Sequence, residues 1–281
     1  MFVKEHTIKN KVEFSGKSLQ RGEEVKVICE GASIGTGIIF LRADRKDAEW
    51  IRVGDMLFSD EYERRSTIGK GNNGIQTVEH FLAALWGMGI SNMKVYVYGR
   101  EFPAMDGSAK VFLEILKSGG IVEQEKEVNP IKIKELIEIH NKDVSLSITP
   151  SEKFSITYFI DYKCKAIGKE EFLVDFDKIS FEENIAGART FCLKDEAMLL
   201  LKLGFGRGAT YDNTLIMGDT GPVGTTLRYP NEPLRHKILD LIGDLYLLGR
   251  PLIGRVIARK SGHKINMRLV RAIYEKYGNI L

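Results

Sequence analysis

Hydrophobic and polar residues alternate in short runs through the first third of the chain, a pattern that predicts β-strands. One longer run, TVEHFLAALWGM at residues 77–88, has helical spacing, with Thr77 as the expected N-cap and with Gly87 and Gly89 closing it. A second, amphipathic helix is predicted over residues 109–117. The strands predicted in this part are residues 24–30, 37–41 and 93–98.

The order of strands and then a helix returns after a charged segment, EQEKEVNP at residues 123–130, which we interpret as a linker. The elements predicted beyond it are strands at 131–139, 144–148, 154–160 and 171–176 and a helix at 194–203. Strands with a following helix on both sides of the linker predict an α+β fold. We expect two similar domains, residues 1–126 and 127–281.

The most informative helix follows Asn231, its expected N-cap, and ends at Gly249. One stripe of this helix is apolar, and His236, Asp240 and Asp244 form a second stripe at i, i+4 and i+8. His236 and Asp240 are one turn apart and can reach a single point, where an imidazole and a carboxylate suit zinc. A solvated helix face with an i, i+4 interaction explains the same spacing, and this pair alone does not separate the two.

Two further histidines stand in sequences that suit catalysis. Glu79 precedes His80 in the first helical turn, so a metal held by the histidine would bring the carboxylate within reach of water. The alternative is an acidic residue favoured at a helix start beside a packing histidine. His263 follows a glycine on a predicted loop after a strand, where a general acid and a simple turn are equally reasonable. The chain contains no GxxxxGK[ST] or CxxC motif.

Composition narrows the class of protein without identifying it. Hydrophobic residues make up 43% and charged residues 28% of the 281 positions, as in soluble globular proteins. The net charge of +3 is too small to indicate a nucleic-acid partner. Three widely spaced cysteines favour reduced thiols and a cytoplasmic location. No apolar run approaches the ~20 residues of a membrane span, so a membrane-spanning protein is not expected.

Several segments, taken in order, resemble the UDP-3-O-acyl-N-acetylglucosamine deacetylase family. The similarity extends over nearly the whole chain, and the RHKxxDxxGDL pattern is its most specific part. The segments are TVEHFLAAL (77–85), GREFPAMDGSA (99–109), ARTF (188–191), LRYPNEPLRHKILDLIGDLYLLG (227–249) and SGH (261–263). The resemblance implies two α+β domains, each a β-sheet with helices, with the helices packed between the two sheets.

The resemblance also implies a zinc-dependent hydrolysis of an acetamide on a UDP-linked, acylated amino sugar, a step of lipid A biosynthesis. The implied zinc ligands are His80, His236 and Asp240. The implied catalytic residues are Glu79 as general base, His263 as general acid, Asp244 as its orienting carboxylate, and Thr190 and Lys237 as groups that polarise the carbonyl and hold the substrate. We expect a monomer.

An apolar passage for the acyl chain is a further implication of the resemblance. The expected substrate-binding residues are Leu19, Phe191, Tyr211 and Ile216 in the passage, together with Tyr162. Two positions depart from the family pattern: Gln20 replaces the histidine of a GxGLH segment, and Ala209 interrupts a glycine-glycine-serine segment. Two other functions remain open, a non-catalytic protein that binds sugar nucleotides and a metal-dependent amidase with a different substrate.

Overall fold

The chain builds two main sheets, one in each half, in a computed structural model that describes residues 3–55, 58–59, 64–176 and 178–278. The elements of the first half are β1 (Lys4–Ile8), β2 (Val12–Lys17), β3 (Glu24–Gly31), β4 (Ile38–Arg42), β5 (Ile51–Arg52), β6 (Phe58–Ser59), β7 (Thr67–Ile68), β8 (Ile75–Gln76), α1 (Glu79–Met88), β9 (Met93–Tyr98), α2 (Lys110–Ser118) and β10 (Ile121–Glu127).

The second half follows a similar plan of strands and later helices. Its elements are β11 (Ile131–Lys132), β12 (Ile137–Asn141), β13 (Val144–Thr149), β14 (Phe154–Asp161), β15 (Lys169–Asp175), α3 (Lys178–Asn184), β16 (Phe191–Leu193), α4 (Lys194–Lys202), β17 (Leu215–Gly218), β18 (Gly221–Val223), α5 (Glu232–Tyr246), β19 (Leu252–Arg259) and α6 (His263–Tyr277).

Both main sheets are mixed. The first has five strands in the order β2-β3-β9-β4-β5, and β4 and β9 are its parallel pair. The second has the order β12-β13-β19-β14-β15, with β11 also pairing with β19 and with β14 parallel to β19. Smaller three-stranded sheets, β6-β7-β8 and β16-β17-β18, lie outside these two. The predicted α+β class is confirmed.

Helix α1 lies between the two main sheets. Nine of its ten residues are buried, as expected for a helix that is apolar nearly all round. The ring of Phe81 lies 6.3 Å from those of Phe14 and Phe40 in the first sheet, and the ring of Trp86 lies 5.6 Å from that of Phe154 in the second. Helix α5 packs between α1 and the second sheet, and α6 lies beside α5 against the same sheet. The predicted placement of helices between sheets is therefore confirmed.

Helices α1 and α5 approach so closely that their backbones touch. The contact is made at Gly243, where an added Cβ would lie 2.0 Å from the backbone oxygen of Glu79. No side chain can occupy that position without separating the helices. This contact places the start of α1, with Glu79 and His80, beside the middle of α5, with His236 and Asp240.

The predicted linker is wrong for residues 123–127, which belong to β10. This strand pairs antiparallel with β1, with Thr7 opposite Val122 and Ile8 opposite Ile121. Most β10 side chains are exposed, so the strand needs no apolar alternation and its charged sequence gave no strand signal. Residues 128–130 do connect the two halves. The domain boundary at residues 126 and 127 stays a prediction.

Two other local predictions differ from the structure. The predicted strand at 131–139 is two strands, β11 and β12. Thr77 is not the N-cap of α1, because the helix begins at Glu79 and Thr77 has a positive φ of 58°. The Thr77 hydroxyl instead donates a hydrogen bond to Glu101, at 3.2 Å. Within the described ranges, no helix has both the length and the apolar character to cross a membrane.

Candidate active site and metal centre

A cleft of about 670 Å³ opens beside the ends of α1, α5 and α6, with α4 and the β16-β17-β18 sheet along its side. It brings together every predicted site residue except Asp244, which is buried behind it with 0% of its surface exposed. The predicted residues that line the cleft are Leu19, Glu79, His80, Tyr162, Thr190, Phe191, Tyr211, Ile216, His236, Lys237, Asp240 and His263.

The three predicted metal ligands converge at the buried end of the cleft. His80 comes from the first turn of α1, and His236 and Asp240 come from successive turns of α5. The Oδ1 atom of Asp240 lies 3.5 Å from Nε2 of His80 and 3.3 Å from Nε2 of His236. One nitrogen or oxygen from each residue lies within 4.8 Å of the others. The arrangement can hold a metal ion.

The chemistry of these donors fits a zinc ion. Nδ1 of His236 lies 3.0 Å from the backbone oxygen of Ala188, which fixes the proton on Nδ1 and leaves the Nε2 lone pair facing the cleft. Burial lowers the pKa of His236 to about 4, so this imidazole is neutral at pH 7. Burial alone would raise the pKa of Asp240, but His236 and Lys237 outweigh it and hold the pKa well below its usual range. Two imidazoles and a carboxylate with space beside them form a common zinc donor set.

Glu79 and His263 face each other beside this trio. Oε1 of Glu79 lies 3.9 Å from Nε2 of His263, and both side chains are buried. Burial raises the pKa of Glu79, although the nearby His263 and His80 act against it. Burial would lower the pKa of His263, but the charge and hydrogen bond of Asp244 outweigh it and raise the pKa to about 9. A basic carboxylate and a protonated imidazole thus flank the same small space.

His263 is the first residue of α6, so its predicted place on a loop is wrong. The apolar residues after it, including Ile265, Leu269 and Ile273, continue at helical spacing. Nδ1 of His263 lies 2.9 Å from Oδ2 of Asp244, which is one turn beyond Asp240 on α5. The imidazole is therefore placed by the start of α6 and oriented by its contact with Asp244.

Two polar residues that the sequence did not indicate complete this part of the site. The side-chain amide of Asn266 donates to Oδ2 of Asp244 at 2.7 Å, and the hydroxyl of Ser66 donates to Oδ1. The spacing of Asn266 three residues after His263 on one helix could have suggested it. Ser66 is distant in sequence from α5 and α6, and no local pattern could have indicated its contact.

Thr190 and Lys237 also line the cleft. The backbone N–H of Thr190 donates to Gly107 O at 2.8 Å, and its backbone oxygen accepts from Leu215 N at 2.8 Å. Nζ of Lys237 lies 3.3 Å from Oδ2 of Asp240. The Lys237 ammonium is thus held next to the metal trio, and Thr190 lines the same cleft with a hydroxyl that can donate a hydrogen bond.

The remaining predicted residues form an apolar side of the cleft. The ring of Tyr162 lies 5.8 Å from that of Phe191, and both lie near Ile216 in the cleft lining. Leu19 lies on the loop after β2, and Tyr211 is at the exposed rim. Helix α4 adds Met198, Leu200 and Leu201, which the sequence analysis had not assigned to the site.

Both departures from the family pattern also face the cleft. The side-chain oxygen of Gln20 accepts a hydrogen bond from the backbone N–H of Gly206 at 3.2 Å. The backbone oxygen of Gln20 accepts another from Arg207 at 3.2 Å, so this residue joins two loops at the rim. Ala209 follows on the second loop and lines the cleft. Neither residue contacts the metal trio.

Comparisons with known proteins agree with this geometry. Residues 5–275 match the family model described as LpxC: UDP-3-O-acyl N-acetylglycosamine deacetylase. A UDP-3-O-acyl-N-acetylglucosamine deacetylase of Acidithiobacillus ferrooxidans is 36% identical over 274 residues, which cover 96% of this chain and 90% of the relative. A protein of the same name from Chromobacterium violaceum is 35% identical over 278 residues, 97% of this chain and 91% of the relative.

A longer relative shares the same region. The bifunctional enzyme LpxC/FabZ of Chlorobaculum tepidum is 34% identical over 314 aligned positions, which cover 99% of this chain and 66% of that protein. The family model matches nearly the whole chain, and the matched range includes all the predicted residues that line the cleft. The chain therefore belongs to the LpxC family of UDP-3-O-acyl N-acetylglycosamine deacetylases.

Proposed function

We propose that this protein is a zinc-dependent amide hydrolase acting on UDP-3-O-acyl-N-acetylglucosamine, with acetate and UDP-3-O-acyl-glucosamine as products, in lipid A biosynthesis. One observation carries the proposal. A buried His-His-Asp trio stands beside a carboxylate and an imidazole only 3.9 Å apart, in a cleft with one apolar side. Hydrolysis of an acetamide on a sugar that also carries an acyl chain uses each of these parts.

His80, His236 and Asp240 would hold the zinc ion. When bound, the ion supplies a Lewis acid that polarises an amide carbonyl and makes water acidic enough to attack at neutral pH. The residues around it have to remove one proton, deliver another and hold the negative charge that develops on the carbonyl oxygen.

Glu79 is the general base. Its carboxylate accepts a proton from the attacking water while the water oxygen bonds to the acetamide carbon. Because burial raises its pKa, Glu79 is a stronger base than an exposed glutamate. The Thr190 hydroxyl and the Lys237 ammonium donate hydrogen bonds to the carbonyl oxygen as it gains negative charge.

His263 is the general acid. The C–N bond breaks as Nε2 of His263 donates its proton to the departing amine, and the carbonyl carbon leaves as acetate. Asp244 holds Nδ1 at 2.9 Å and stabilises the charged imidazole before the transfer. The sugar nucleotide is released with a free amino group.

The apolar side of the cleft binds the acyl chain. Burial of each methylene contributes ~0.8 kcal/mol, so Leu19, Phe191 and Ile216 together with α4 can hold the substrate far more tightly than the sugar alone. Binding energy gained at this distance from the amide can be used to position the reacting carbon. Tyr162 and Tyr211 extend the same surface.

We propose further that the protein is a cytoplasmic monomer without a nucleic-acid partner and that its domains meet at residues 126 and 127. The division into two halves near this point is supported by strand pairing, since β10, which ends at Glu127, pairs with β1 and β11 pairs with β19. The near-neutral charge balance supports the absence of a nucleic-acid partner.

The test is a deacetylation assay combined with metal analysis of the purified protein. We expect release of acetate from UDP-3-O-acyl-N-acetylglucosamine and much slower release from unacylated or unlinked N-acetylglucosamine. Equal rates on all three would favour an amidase of another specificity. Tight binding of the nucleotide without acetate release would favour a non-catalytic binding protein.

A further inference from the structure

Ser66 lies at the junction between the two catalytic groups. It immediately precedes β7, whose hairpin with β8 pairs Thr67 with Gln76. The next pair outward is Ser66 with Thr77, and the backbone N–H of Thr77 donates to the Ser66 oxygen at 2.8 Å. Because α1 begins at Glu79, two residues after Thr77, the hairpin places Ser66 beside the start of α1. Its side chain is only 1% exposed.

The backbone and the side chain of Ser66 bind different carboxylates. The backbone N–H donates to Oε2 of Glu79 at 3.1 Å. The hydroxyl donates to Oδ1 of Asp244 and lies 3.4 Å from Nδ1 of His263. One residue therefore contacts the carboxylate of the base directly and the carboxylate that holds the acid.

The contacts of Asp244 show why this hydroxyl matters. Asp244 accepts hydrogen bonds from Ser66, Asn266 and His263, and it is fully buried. A carboxylate with three donors around it has one orientation, and the imidazole that it holds then has one orientation as well. Without the Ser66 hydroxyl, Oδ1 loses its nearest donor and the carboxylate can rotate about the bond that carries it.

From these contacts we propose that Ser66 is a positioning residue for the deacetylation reaction. It holds the general base, Glu79, and Asp244, the carboxylate that orients the general acid, at a fixed separation. The proposal rests on the proposed function of Glu79 and His263. It assigns no contact with substrate to Ser66. Its role is to keep Oε1 of Glu79 and Nε2 of His263 facing the space between them, where the amide must fit.

Ser66→Ala tests the proposal because it removes the hydroxyl and keeps the backbone donor to Glu79. We expect kcat to fall about 10-fold, as for the loss of one hydrogen bond to a charged group, with KM within about twofold of the parent. Ser66→Thr, which restores a hydroxyl, should recover most of kcat. Ser155→Ala is the matched control, since Ser155 is also buried but lies on β14 and outside the cleft lining.

A second measurement reports the orientation of His263 and does not depend on catalytic activity. In zinc-loaded protein labelled with ¹⁵N-histidine, the Nδ1 proton of His263 should give a far-downfield resonance, because it is shared with a buried carboxylate. Ser66→Ala should shift this resonance, and Ser155→Ala should leave it unchanged. If Ser66→Ala fails to fold, Ser66→Cys, which fills similar volume with a weak donor, replaces it with the same expected changes.

The outcomes separate this proposal from the proposed function. An unchanged kcat and an unchanged resonance in Ser66→Ala would overturn the positioning role while deacetylation stands. An equal loss of kcat in Ser155→Ala would also overturn it, since the effect would then be general destabilisation. If the parent protein releases no acetate, the proposed function fails, and the resonance alone still decides whether Ser66 orients His263.

Discussion

The floor and the side of the cleft are built in opposite ways. The catalytic floor, as we call it, comprises the five residues to which we assign metal binding and proton transfer: Glu79, His80, His236, Asp240 and His263. Each of these residues is only 3–6% exposed. The α4 wall, residues 194–202, has no buried residue, and Leu199 is 58% exposed. Groups that must meet a reacting atom are thus held inside the packed helices, whereas groups that only offer apolar contact stand on a loosely packed helix.

This difference indicates where binding and chemistry can be changed separately. Regions with few buried contacts open more easily than the core and tolerate substitution better. Changes to the catalytic floor should therefore lower the rate on every substrate. Changes to the α4 wall should alter the preference among acyl chains and leave the chemistry and the stability nearly intact.

The largest effect is expected from loss of a metal ligand. His80→Ala, His236→Ala and Asp240→Ala should each reduce zinc content and lower kcat/KM by on the order of 10³-fold or more, because several kcal/mol of transition-state stabilisation is lost. His140→Ala, at an exposed histidine of β12, is the control. Metal analysis and chelator treatment check this, and full activity in a metal-free sample would contradict it.

The next effect concerns proton transfer on the floor. Glu79→Gln and His263→Gln should lower kcat by 10²- to 10⁴-fold, by order of magnitude, while zinc content stays at the parental level. Each variant keeps the size of the side chain or its polarity and loses only the ability to transfer a proton, as acceptor at Glu79 and as donor at His263. A variant that retains both its zinc and its parental rate would remove that residue from the mechanism.

The rate should have a bell-shaped dependence on pH. Glu79 must be deprotonated, so the rate falls as pH decreases through its raised pKa, and His263 must be protonated, so the rate falls as pH rises through a pKa of about 9. A bound dication lowers both pKa values by repelling the proton. Glu79→Gln should lose the acidic limb and His263→Gln the basic one, in profiles of kcat/KM.

The length of the acyl chain should have a graded effect on kcat/KM, because the chain binds to the apolar side of the cleft. Each methylene removed from the substrate should lower kcat/KM about fourfold, which corresponds to ~0.8 kcal/mol. Phe191→Glu and Ile216→Glu should shrink the difference between acylated and unacylated substrates. A parent protein that hydrolyses both equally well would show that the acyl chain does not bind there.

The smallest effect is expected from the α4 wall itself. Leu200→Ala, at a residue that lines the cleft, should raise KM for long acyl chains a few-fold, and Leu199→Ala, outside the lining, should not. Both should change the free energy of unfolding by about 0.5 kcal/mol or less, whereas Leu241→Ala in the buried face of α5 should lose about 2–5 kcal/mol. Denaturant titration checks the comparison.

The catalytic floor was easier to predict from the sequence than the wall. His236, Asp240 and Asp244 share one helix, so their helical spacing alone put them on one face. Their meeting with Glu79 and His80 depends on contact between two helices far apart in sequence, and only the family resemblance supplied it. Family patterns carry long-range contacts of this kind, while local periodicity does not.

Other features were missed for identifiable reasons. Strand β10 is exposed on most of its surface, and hydrophobic alternation reports burial and not strand pairing. Helix α6 was missed because its N-cap is Gly262, which has no side chain to signal a helix start and which suits a turn equally well. Ser66 stands at the β7-β8 hairpin and contacts Glu79 at the start of α1 and Asp244 on α5. No local stretch of sequence contains all three elements.

The close contact at Gly243 sets the distance between α1 and α5, and this distance in turn sets the spacing of the three proposed metal ligands. The position has no side chain and touches no ligand, yet its lack of a Cβ sets how near His80 stands to His236 and Asp240. A single methyl group there would widen the three-donor triangle from outside. We therefore expect a substitution that loosens the packing at Gly243 also to weaken metal binding at the proposed site.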